Sequence, residues 1–513
     1  MKPTTSDPSQ VRPSRNWSNR ILAASLFGIL FFTLSPYWVD FTHKTASGRS
    51  SFLLGGPLRF DGFLHTFLNA LLFVPFGFAL FTFSNRRGRT RLQSLAIATI
   101  AGLVFSYGIE LIQIYMPSRD SEWDDVIANT LGSAVGMALG LMSGTRIVRW
   151  LSELEVVLER RSSVRGIVLV GFLYFAIWLG VSVPLQKVTL PSNWDPNAYL
   201  SIGSDELGVT PAWSGQVTRL QIWGRSFDRA RVPTLTAESS SEIGLADGML
   251  ADYDLSQAPP IPNKFGPLPE LVVGSEIVNG SHPRGSFDGS QVSWLISANA
   301  VPSLVEAVRK SHQFAVRVDC LPTGGTDAHG TLVIISPLGG TTDFAMKQQG
   351  SSLLIRLRTG LQPERSSLEW SSPDIFVPHR WRSILFTFDG GNGALYVDGK
   401  MVRDSYELSP GVGLVAQFLR VKANELVAYD ALYQSLVFLP IGFLLGLAFR
   451  NTSRGDTVYR LCLYAGIILP ACVLEAVLVA VSGRNVSLTQ VSVSLGLTIA
   501  GTLWINLDRP AHA

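Results

Sequence analysis

Eight apolar segments, each long enough or nearly long enough to cross a lipid bilayer, dominate this 513-residue sequence. A transmembrane helix needs about 20 predominantly apolar residues. Hydrophobic residues make up 47% of the chain and charged residues only 16%, a composition typical of a polytopic membrane protein. The segments lie roughly at 19–38, 62–83, 93–116, 124–142, 166–183, 429–449, 458–481 and 486–506.

Charge and cysteine content exclude several functional classes. A formal net charge of +3, without a basic stripe interleaved with aromatic residues, argues against a nucleic-acid partner. The three cysteines, Cys320, Cys462 and Cys472, form neither a disulfide framework nor a CxxC metal pattern. Carboxylates could hold a divalent metal, but no tight ligand motif supports one, so we predict no metal and no cofactor. The sequence leaves the oligomeric state open.

Basic residues predict the orientation of the membrane helices. If eight helices alternate, the tail 1–18 and the basic loops at 84–91, 143–165 and 450–457 fall on one side, which the positive-inside rule assigns to the cytoplasm. Both termini are then cytoplasmic. No small-residue cleavage site follows the first segment, so we interpret it as an anchor and not as a cleaved signal peptide.

The same alternation places the whole block 184–428 outside the cytoplasm. Short alternating runs such as QFAVRVDC, GTLVIIS, SLLIRLRT and RSILFTFD recur there, separated by turn-forming residues. Such runs are typical of a two-sheet sandwich, which we assign to 190–425. A single short helix is expected near 302–311, and loops near 255–269 and 361–373.

One hairpin in this block is more specific. The segment 379–402, HRWRSILFTFDGGNGALYVDGKMV, resembles the recurring hairpin of the laminin-G/concanavalin-A-like jelly-roll family. The resemblance covers roughly 200–424 and implies an all-β jelly roll that recognises a glycan, a cell-wall component or a protein. Trp381 and Tyr396 are expected in its core.

Polar residues gather near the predicted outer ends of helices two, three and four. Spacings of three and four residues put them on shared helical faces, and ionisable groups are costly in lipid, which favours a function. The candidate binding residues are Asp61, His65, Asn69, Glu110, Gln113, Arg119, Asp125 and Asn129. Gly132 and Gly136 continue the stripe of Asp125 and Asn129 and would let a neighbouring helix approach closely.

The spacing of these residues resembles the VanZ-like family over about 20–145. The matching positions are Asn69, Phe73, Pro75, Gly77, Glu110, Gln113, Arg119, Asp125, Asn129, Thr130, Leu131, Gly132 and Gly136. The family takes its name from a protein associated with glycopeptide (teicoplanin) resistance, so the resemblance implies a bacterial envelope protein and supplies no reaction. We assign 19–183 to this membrane domain, with five helices; the large outer domain departs from the usually short family pattern.

A second copy of the module is predicted at the C-terminus. One constant shift along the chain superposes 62–142 on 429–506 without a gap, and it aligns Glu110 with Glu475 and Arg119 with Arg484. These four residues are interpreted as a structural clamp. Positions 113, 125 and 129 become Leu478, Gln490 and Ser494 in the second copy, so a specialised site is expected only in the first.

Structural interpretations compete at several of these positions. Asp124, with Ser121, fits a helix-capping pattern. Arg119 could pair with Glu110 or hold a lipid phosphate. His65 alone would favour a contact between helices.

Three functions remain open. The first is a non-enzymatic envelope protein that binds a membrane lipid headgroup and, through the sandwich, a glycan or protein. The second is a membrane enzyme acting on a lipid-linked or cell-wall precursor, with Asp125 or Glu110 as base, His65 as proton carrier and Arg119 as anion stabiliser. The third is transport, which the repeat fits weakly.

Overall fold

Each of the eight apolar segments forms a helix in the computed structural model. The structure describes residues 17–34, 63–115, 123–161, 163–204, 213–227, 247–274, 294–325, 328–361, 368–402, 406–418, 421, 425–452 and 457–506. The membrane-region helices are α1 (Trp17–Thr33), α2 (Phe63–Arg86), α3 (Arg91–Gln113), α4 (Trp123–Arg161), α5 (Val164–Lys187), α8 (Leu426–Asn451), α9 (Thr457–Ser482) and α10 (Leu488–Asn506). Two short helices, α6 (Pro302–Ser311) and α7 (Pro410–Ala416), lie between α5 and α8.

Among the described residues, six of these helices are long and apolar enough to cross a membrane. They cover Arg91–Gln113, Trp123–Glu153, Val164–Lys187, Leu426–Asn451, Arg460–Ser482 and Leu488–Ile505. The chain is therefore a multi-pass membrane protein whose apolar helices contact lipid. The number eight and the direction of insertion stay predictions.

The predicted loop at 143–165 is wrong. Helix α4 continues through this basic stretch to Arg161, and α5 begins at Val164. Residues 145–161 contain neither glycine nor proline and are rich in helix-forming Leu, Glu and Arg. The arginines mark a change in polarity along the helix and not the end of the helix.

The chain divides into two units. The first contains 1–175, 434–470 and 493–513, and the second contains 176–433 and 471–492.

In the first unit, glycines on α4 bring its backbone against that of α2. A methyl carbon at Gly132 would lie 1.9 Å from the carbonyl oxygen of Ala70, and one at Gly136 would lie 1.9 Å from that of Val74. The contact partner moves from Ala70 to Val74 as the glycine moves from Gly132 to Gly136, the same distance in the same chain direction. The two helices are therefore parallel and have a fixed register. The predicted close approach at Gly132 and Gly136 is confirmed.

Gly77 on α2 completes this contact from the other side. A methyl carbon there would lie 2.0 Å from the carbonyl oxygen of Ser133. In the C-terminal part of the same unit, one at Gly442 would lie 2.2 Å from the carbonyl oxygen of Thr498. The shift used in the sequence comparison places Gly77 on Gly442 and Ser133 on Thr498, so the same kind of contact occurs at both pairs of positions.

The second unit contains two antiparallel sheets of seven strands each. The first sheet has the order β10-β9-β8-β7-β1-β5-β4, and the second has the order β13-β12-β11-β6-β2-β3, with β14 also paired to β12. The strands are β1 (Ala198–Ile202), β2 (Gly215–Trp223), β3 (Met249–Asp254), β4 (Leu271–Val273), β5 (Leu295–Ser297), β6 (Phe314–Pro322), β7 (His329–Pro337), β8 (Phe344–Gln349), β9 (Ser352–Leu357), β10 (Glu369–Ser372), β11 (Arg382–Phe388), β12 (Asn392–Val397), β13 (Lys400–Met401) and β14 (Tyr406–Glu407).

Aromatic side chains join the two sheets face to face. Phe344 of the first sheet lies between Phe314 and Phe386 of the second, with ring centroids 5.2 and 5.5 Å apart. Edge-to-face and stacked ring pairs of this kind stabilise a core beyond the area they bury. The four alternating runs singled out in the sequence form β6, β7, β9 and β11 of this sandwich.

The patterned hairpin is confirmed, with two corrections. Strands β11 and β12 pair through Leu385 and Tyr396, and Tyr396 is buried as predicted. Trp381 instead leaves 49% of its surface exposed. Trp381 lies one residue before β11, so the strand pairing that directs alternate side chains into the core does not include it. The loop predicted at 361–373 also contains a strand, β10.

We expect Gly136→Ala to lower the apparent melting temperature of the detergent-solubilised protein strongly, because the added carbon collides with the Val74 carbonyl. Overpacking of a rigid backbone contact costs about 1–3 kcal/mol. The matched control is Gly108→Ala on α3, where nothing lies within 4 Å of the added carbon. Equal melting temperatures for the two variants would show that the glycine contact does not set the packing.

Candidate functional site

Four helices of the first unit meet at one end, which we call the polar end. It is defined by Thr33 of α1, Asn69 of α2, Gln113 of α3 and Asp125 of α4. The Gln113 Nε2 donates to the carbonyl oxygen of Thr33 at 2.8 Å, so a C-terminal carbonyl of α1 accepts a hydrogen bond from a side chain of α3. Gln113 is buried.

Two further hydrogen bonds cross between helices here. Asn69 Nδ2 donates to Asp125 Oδ1 at 2.6 Å, and Asn129 Nδ2 is 2.9 Å from Ser106 Oγ on α3. The short Asn69–Asp125 bond is charge-assisted and joins α2 to α4. Of the predicted binding residues, the structure joins Asn69 to Asp125, whereas Gln113 and Asn129 bond to Thr33 and Ser106.

Several oxygen atoms at this end are buried and accept no hydrogen bond from the described residues. They are Gln113 Oε1, Asn129 Oδ1 and both carboxylate oxygens of Asp124. Asp124 is only 4% exposed. Its expected capping partner, Ser121, lies outside the described residues, so the capping interpretation stays a prediction. A buried carboxylate without a hydrogen bond is costly and indicates a partner other than the described residues.

Other predicted site residues are less fully described. Glu110 is 1% exposed and has an interaction partner. Asp61, Arg119 and the side chain of His65 lie outside the described residues, so the predicted convergence of these groups with the polar end remains a prediction. The Glu110–Arg119 half of the clamp is likewise not tested.

The C-terminal positions that align with the polar end have different partners. In the first unit, Ser494 Oγ donates to Gln434 Oε1 at 2.6 Å, linking α10 to α8. In the second unit, Arg484 Nη2 donates to Glu475 Oε2 at 2.6 Å and to Gln490 Oε1 at 2.9 Å. Glu475 and Arg484 therefore form the predicted ion pair, and both are buried.

The sandwich contributes directly to this second cluster. Gln490 Nε2 donates to the carboxyl of Glu407 on β14, and Arg484 Nη1 lies 3.8 Å from the same Glu407 oxygen. The glycine turn of the patterned hairpin lies against the same loop, since a methyl carbon at Gly390 would be 2.1 Å from the Ser482 carbonyl oxygen. Within the second unit, the sandwich is held on the loop between α9 and α10.

Sequence reasoning missed Glu407 and Ser106. Glu407 sits in a two-residue strand far from Arg484 along the chain, and no local pattern marks it. Ser106 lies one turn before Glu110 on the same face of α3, so helical spacing could have identified it. Asp124 was noticed but was given a capping role.

The described residues contain no group of three or more His, Cys, Asp or Glu side chains placed to hold a metal ion. What the polar end offers chemically is a set of buried oxygen acceptors, one bonded carboxylate and one unbonded carboxylate. Oxygen acceptors of this kind can take hydrogen bonds from a donor group.

The N-terminal region matches a known protein family. Residues 9–144 match the family model described as VanZ/LLP1, which confirms the VanZ-like resemblance over that membrane region. The matched range covers less than half of the chain and includes neither the sandwich nor α8–α10. No curated protein and no solved structure matches the chain.

The Glu407 carboxyl should make stability depend on pH. Burial and the charge of Asp430 raise its pKa to about 8, while Arg484 opposes the shift. The folded state then keeps a proton that the unfolded chain releases near its ordinary pKa, so stability falls as the pH rises from about 5 to about 8. We expect the melting temperature of the wild type to fall over this range and that of Glu407→Gln to stay nearly flat.

The control for this experiment is Asp247→Asn, a change at a carboxylate whose side chain is 79% exposed. It should keep the wild-type pH profile. If the melting temperatures of the wild type and of Glu407→Gln changed with pH in the same way, Glu407 would not be the group that causes the pH dependence.

Proposed function

We propose that this protein is a VanZ-like envelope membrane protein that binds and does not catalyse. Its N-terminal module binds the headgroup of an envelope lipid at the polar end, and its sandwich recognises a glycan or a protein surface outside the membrane. The observation that carries the proposal is that buried oxygen atoms of Gln113, Asp124 and Asn129 accept no hydrogen bond from the described part of the chain. A link to glycopeptide resistance follows from the family.

Binding is favoured over catalysis because Asn69 already donates to the Asp125 carboxylate, whereas a general base must face the proton that it removes.

The sandwich role is supported by its attachment. In the second unit, Gly390, Glu407 and Gln313 contact the α9–α10 loop, with Gln313 Nε2 donating to the Gly483 carbonyl at 2.6 Å. A recognition domain fixed in this way holds its ligand-binding surface at a set distance from the ends of these two helices. The jelly-roll assignment and the carbohydrate or protein ligand belong to the proposal.

The repeat is also part of the proposal. Two glycine contacts at aligned positions of the two copies, Gly77 to Ser133 and Gly442 to Thr498, support a duplicated three-helix unit. In this view the first copy binds ligand, and the second copy uses its Arg484–Glu475 pair and Gln490 to hold the sandwich.

We expect Asp125→Ala to reduce the amount of a specific lipid class that copurifies with the full-length protein, by about tenfold, because it removes the Asn69–Asp125 hydrogen bond that joins α2 to α4 at the polar end. A hydrogen bond to a charged group contributes about 1.5–3 kcal/mol. Native mass spectrometry of the detergent-solubilised protein measures the retained lipid. The matched control is Gln490→Ala, at the position that aligns with Asp125 in the second copy, which should retain lipid like the wild type. Equal loss in both variants, or no enriched lipid in the wild type, would reject the proposal.

Orientation is tested through Cys320, which is fully buried in β6. In a variant with Cys462→Ala and Cys472→Ala, a membrane-impermeant maleimide added to intact cells should label Cys320 only after the sandwich is unfolded with urea. Labelling that requires permeabilised cells would place the sandwich in the cytoplasm.

A further inference from the structure

We infer that the first unit binds an anionic phospholipid, of the phosphatidylglycerol kind, at the end opposite to the polar end. The binding place is a groove on α4, among exposed arginines of three helices. We call this the basic end and define it by Arg86, Arg87, Arg89, Arg91, Arg146 and Arg149, all of which are exposed. This lipid site goes beyond the proposed function and does not depend on binding at the polar end.

The parallel contact between α2 and α4 continues to the basic end. The partner of Gly132 is Ala70, and a methyl carbon at Gly144 would lie 2.8 Å from the side chain of Thr82. The glycine and its partner advance by the same number of residues, so the register is kept along both helices. One helical turn beyond Thr82, α2 ends at Arg86.

Arginines of α4 and α3 lie near the level of Arg86. On α4, one helical turn beyond the glycine contact falls between Arg146 and Arg149. Arg91 begins α3 after a short turn that backbone hydrogen bonds close. Three helices therefore carry exposed arginines at one end of the unit.

No nearby stretch of sequence supplies carboxylates to neutralise this end. Residues 81–98 and 142–152 contain neither Asp nor Glu. The flanking segment 1–16 has three basic residues and one acidic residue, and 154–161 has two of each. The basic end therefore keeps a positive charge, which an anionic lipid headgroup complements.

The basic end lies at the depth of lipid headgroups. The part of α4 that is apolar enough to cross a membrane is Trp123–Glu153, and Arg146 and Trp150 lie in its last turns. From Asp125 to Arg146 the helix rises about 31 Å, close to the thickness of about 30 Å of the hydrocarbon core. Tryptophan is enriched at this depth, and arginine there reaches lipid phosphates.

A groove on α4 opens at this level. It has a volume of about 320 Å³ and is lined by Ser143, Arg146, Ile147 and Trp150. Their spacing puts all four side chains on one face of the helix. Trp150 is 59% exposed, so its indole is available at the rim of the groove.

The apolar side of the groove is held in place by packing. Ile147 packs against a buried cluster of Trp17, Phe78 and Val148, which joins α1, α2 and α4. A wall supported by three helices keeps its shape before a ligand arrives, which lowers the cost of binding.

The chemistry of the lining matches the junction between a lipid headgroup and its acyl chains. Arg146 and Ser143 can donate hydrogen bonds to a phosphate. Ile147 and the Trp150 ring offer apolar surface to the neighbouring chain carbons. A soluble anion would use only the first pair of side chains, so the groove favours a phospholipid.

The experiment uses the full-length protein in detergent micelles and two lipids with identical brominated chains, phosphatidylglycerol and phosphatidylcholine. Bromine quenches tryptophan fluorescence on contact, so the signal of Trp150 is the difference between the wild type and Trp150→Phe. We expect phosphatidylglycerol to quench this signal with a half-saturation at least about tenfold lower than that of phosphatidylcholine, the effect of one hydrogen bond to a charged group.

Arg146→Gln should remove the preference for phosphatidylglycerol. Its matched control is Arg89→Gln, which removes the same charge from the basic end but does not line the groove, and which should change the half-saturation by less than about twofold. Both side chains are exposed, so these variants should keep the fold. Asp125→Ala, at the polar end, should leave the Trp150 signal unchanged, which separates this site from the proposed one.

Three outcomes would overturn the inference. Equal losses in Arg146→Gln and Arg89→Gln would show that the arginines attract anions through their total charge and that the groove is not a site. Equal half-saturation for the two lipids would show that the groove does not distinguish an anionic headgroup. If neither lipid quenched the Trp150 signal, no acyl chain would lie in the groove.

Discussion

The close backbone contact between α2 and α4 organises the membrane part of this protein. The two helices approach so closely that carbonyl oxygens of one lie next to the position that a Cβ atom would occupy on the other. This is possible because the residues at the contact are glycines: Gly77, Gly132 and Gly136. In lipid there is little hydrophobic gain from pairing helices, so close packing and hydrogen bonds must hold them together. Because α2 and α4 run in the same direction, one contact fixes the register along their whole shared length.

The polar end depends on that register. Gly77 and Ser133 form one contact of the pair, and about two helical turns earlier on both helices lie Asn69 and Asp125, which are hydrogen-bonded at 2.6 Å. The glycine contact therefore positions the bonded carboxylate, while Asp124 beside it is buried and accepts no hydrogen bond from the described residues.

The C-terminal helices keep the packing and change the polar chemistry. Gly442 and Gly501 repeat the close approaches, to Thr498 and Leu439. There the buried carboxylate is paired with Arg484, and Gln490 bonds to Glu407 of the sandwich. The same helical framework can thus leave acceptors unbonded for a ligand or satisfy them within the protein, and the choice lies in a few side chains at one end.

Sequence alone determined the helices, because an apolar segment in lipid must satisfy its own backbone hydrogen bonds and has almost no alternative. It also determined the strands, from their alternation, and the polar faces that contain Asn69, Gln113, Asp125 and Asn129. It could not locate the end of α4, since charge marks polarity and not helix termination, nor foresee that Trp381 is exposed. Only the tertiary structure decided that Asp124 is buried without a hydrogen bond from the described residues and that Glu407 lies close to Arg484. Both facts depend on which distant segments meet, and short-range periodicity carries no information about such contacts.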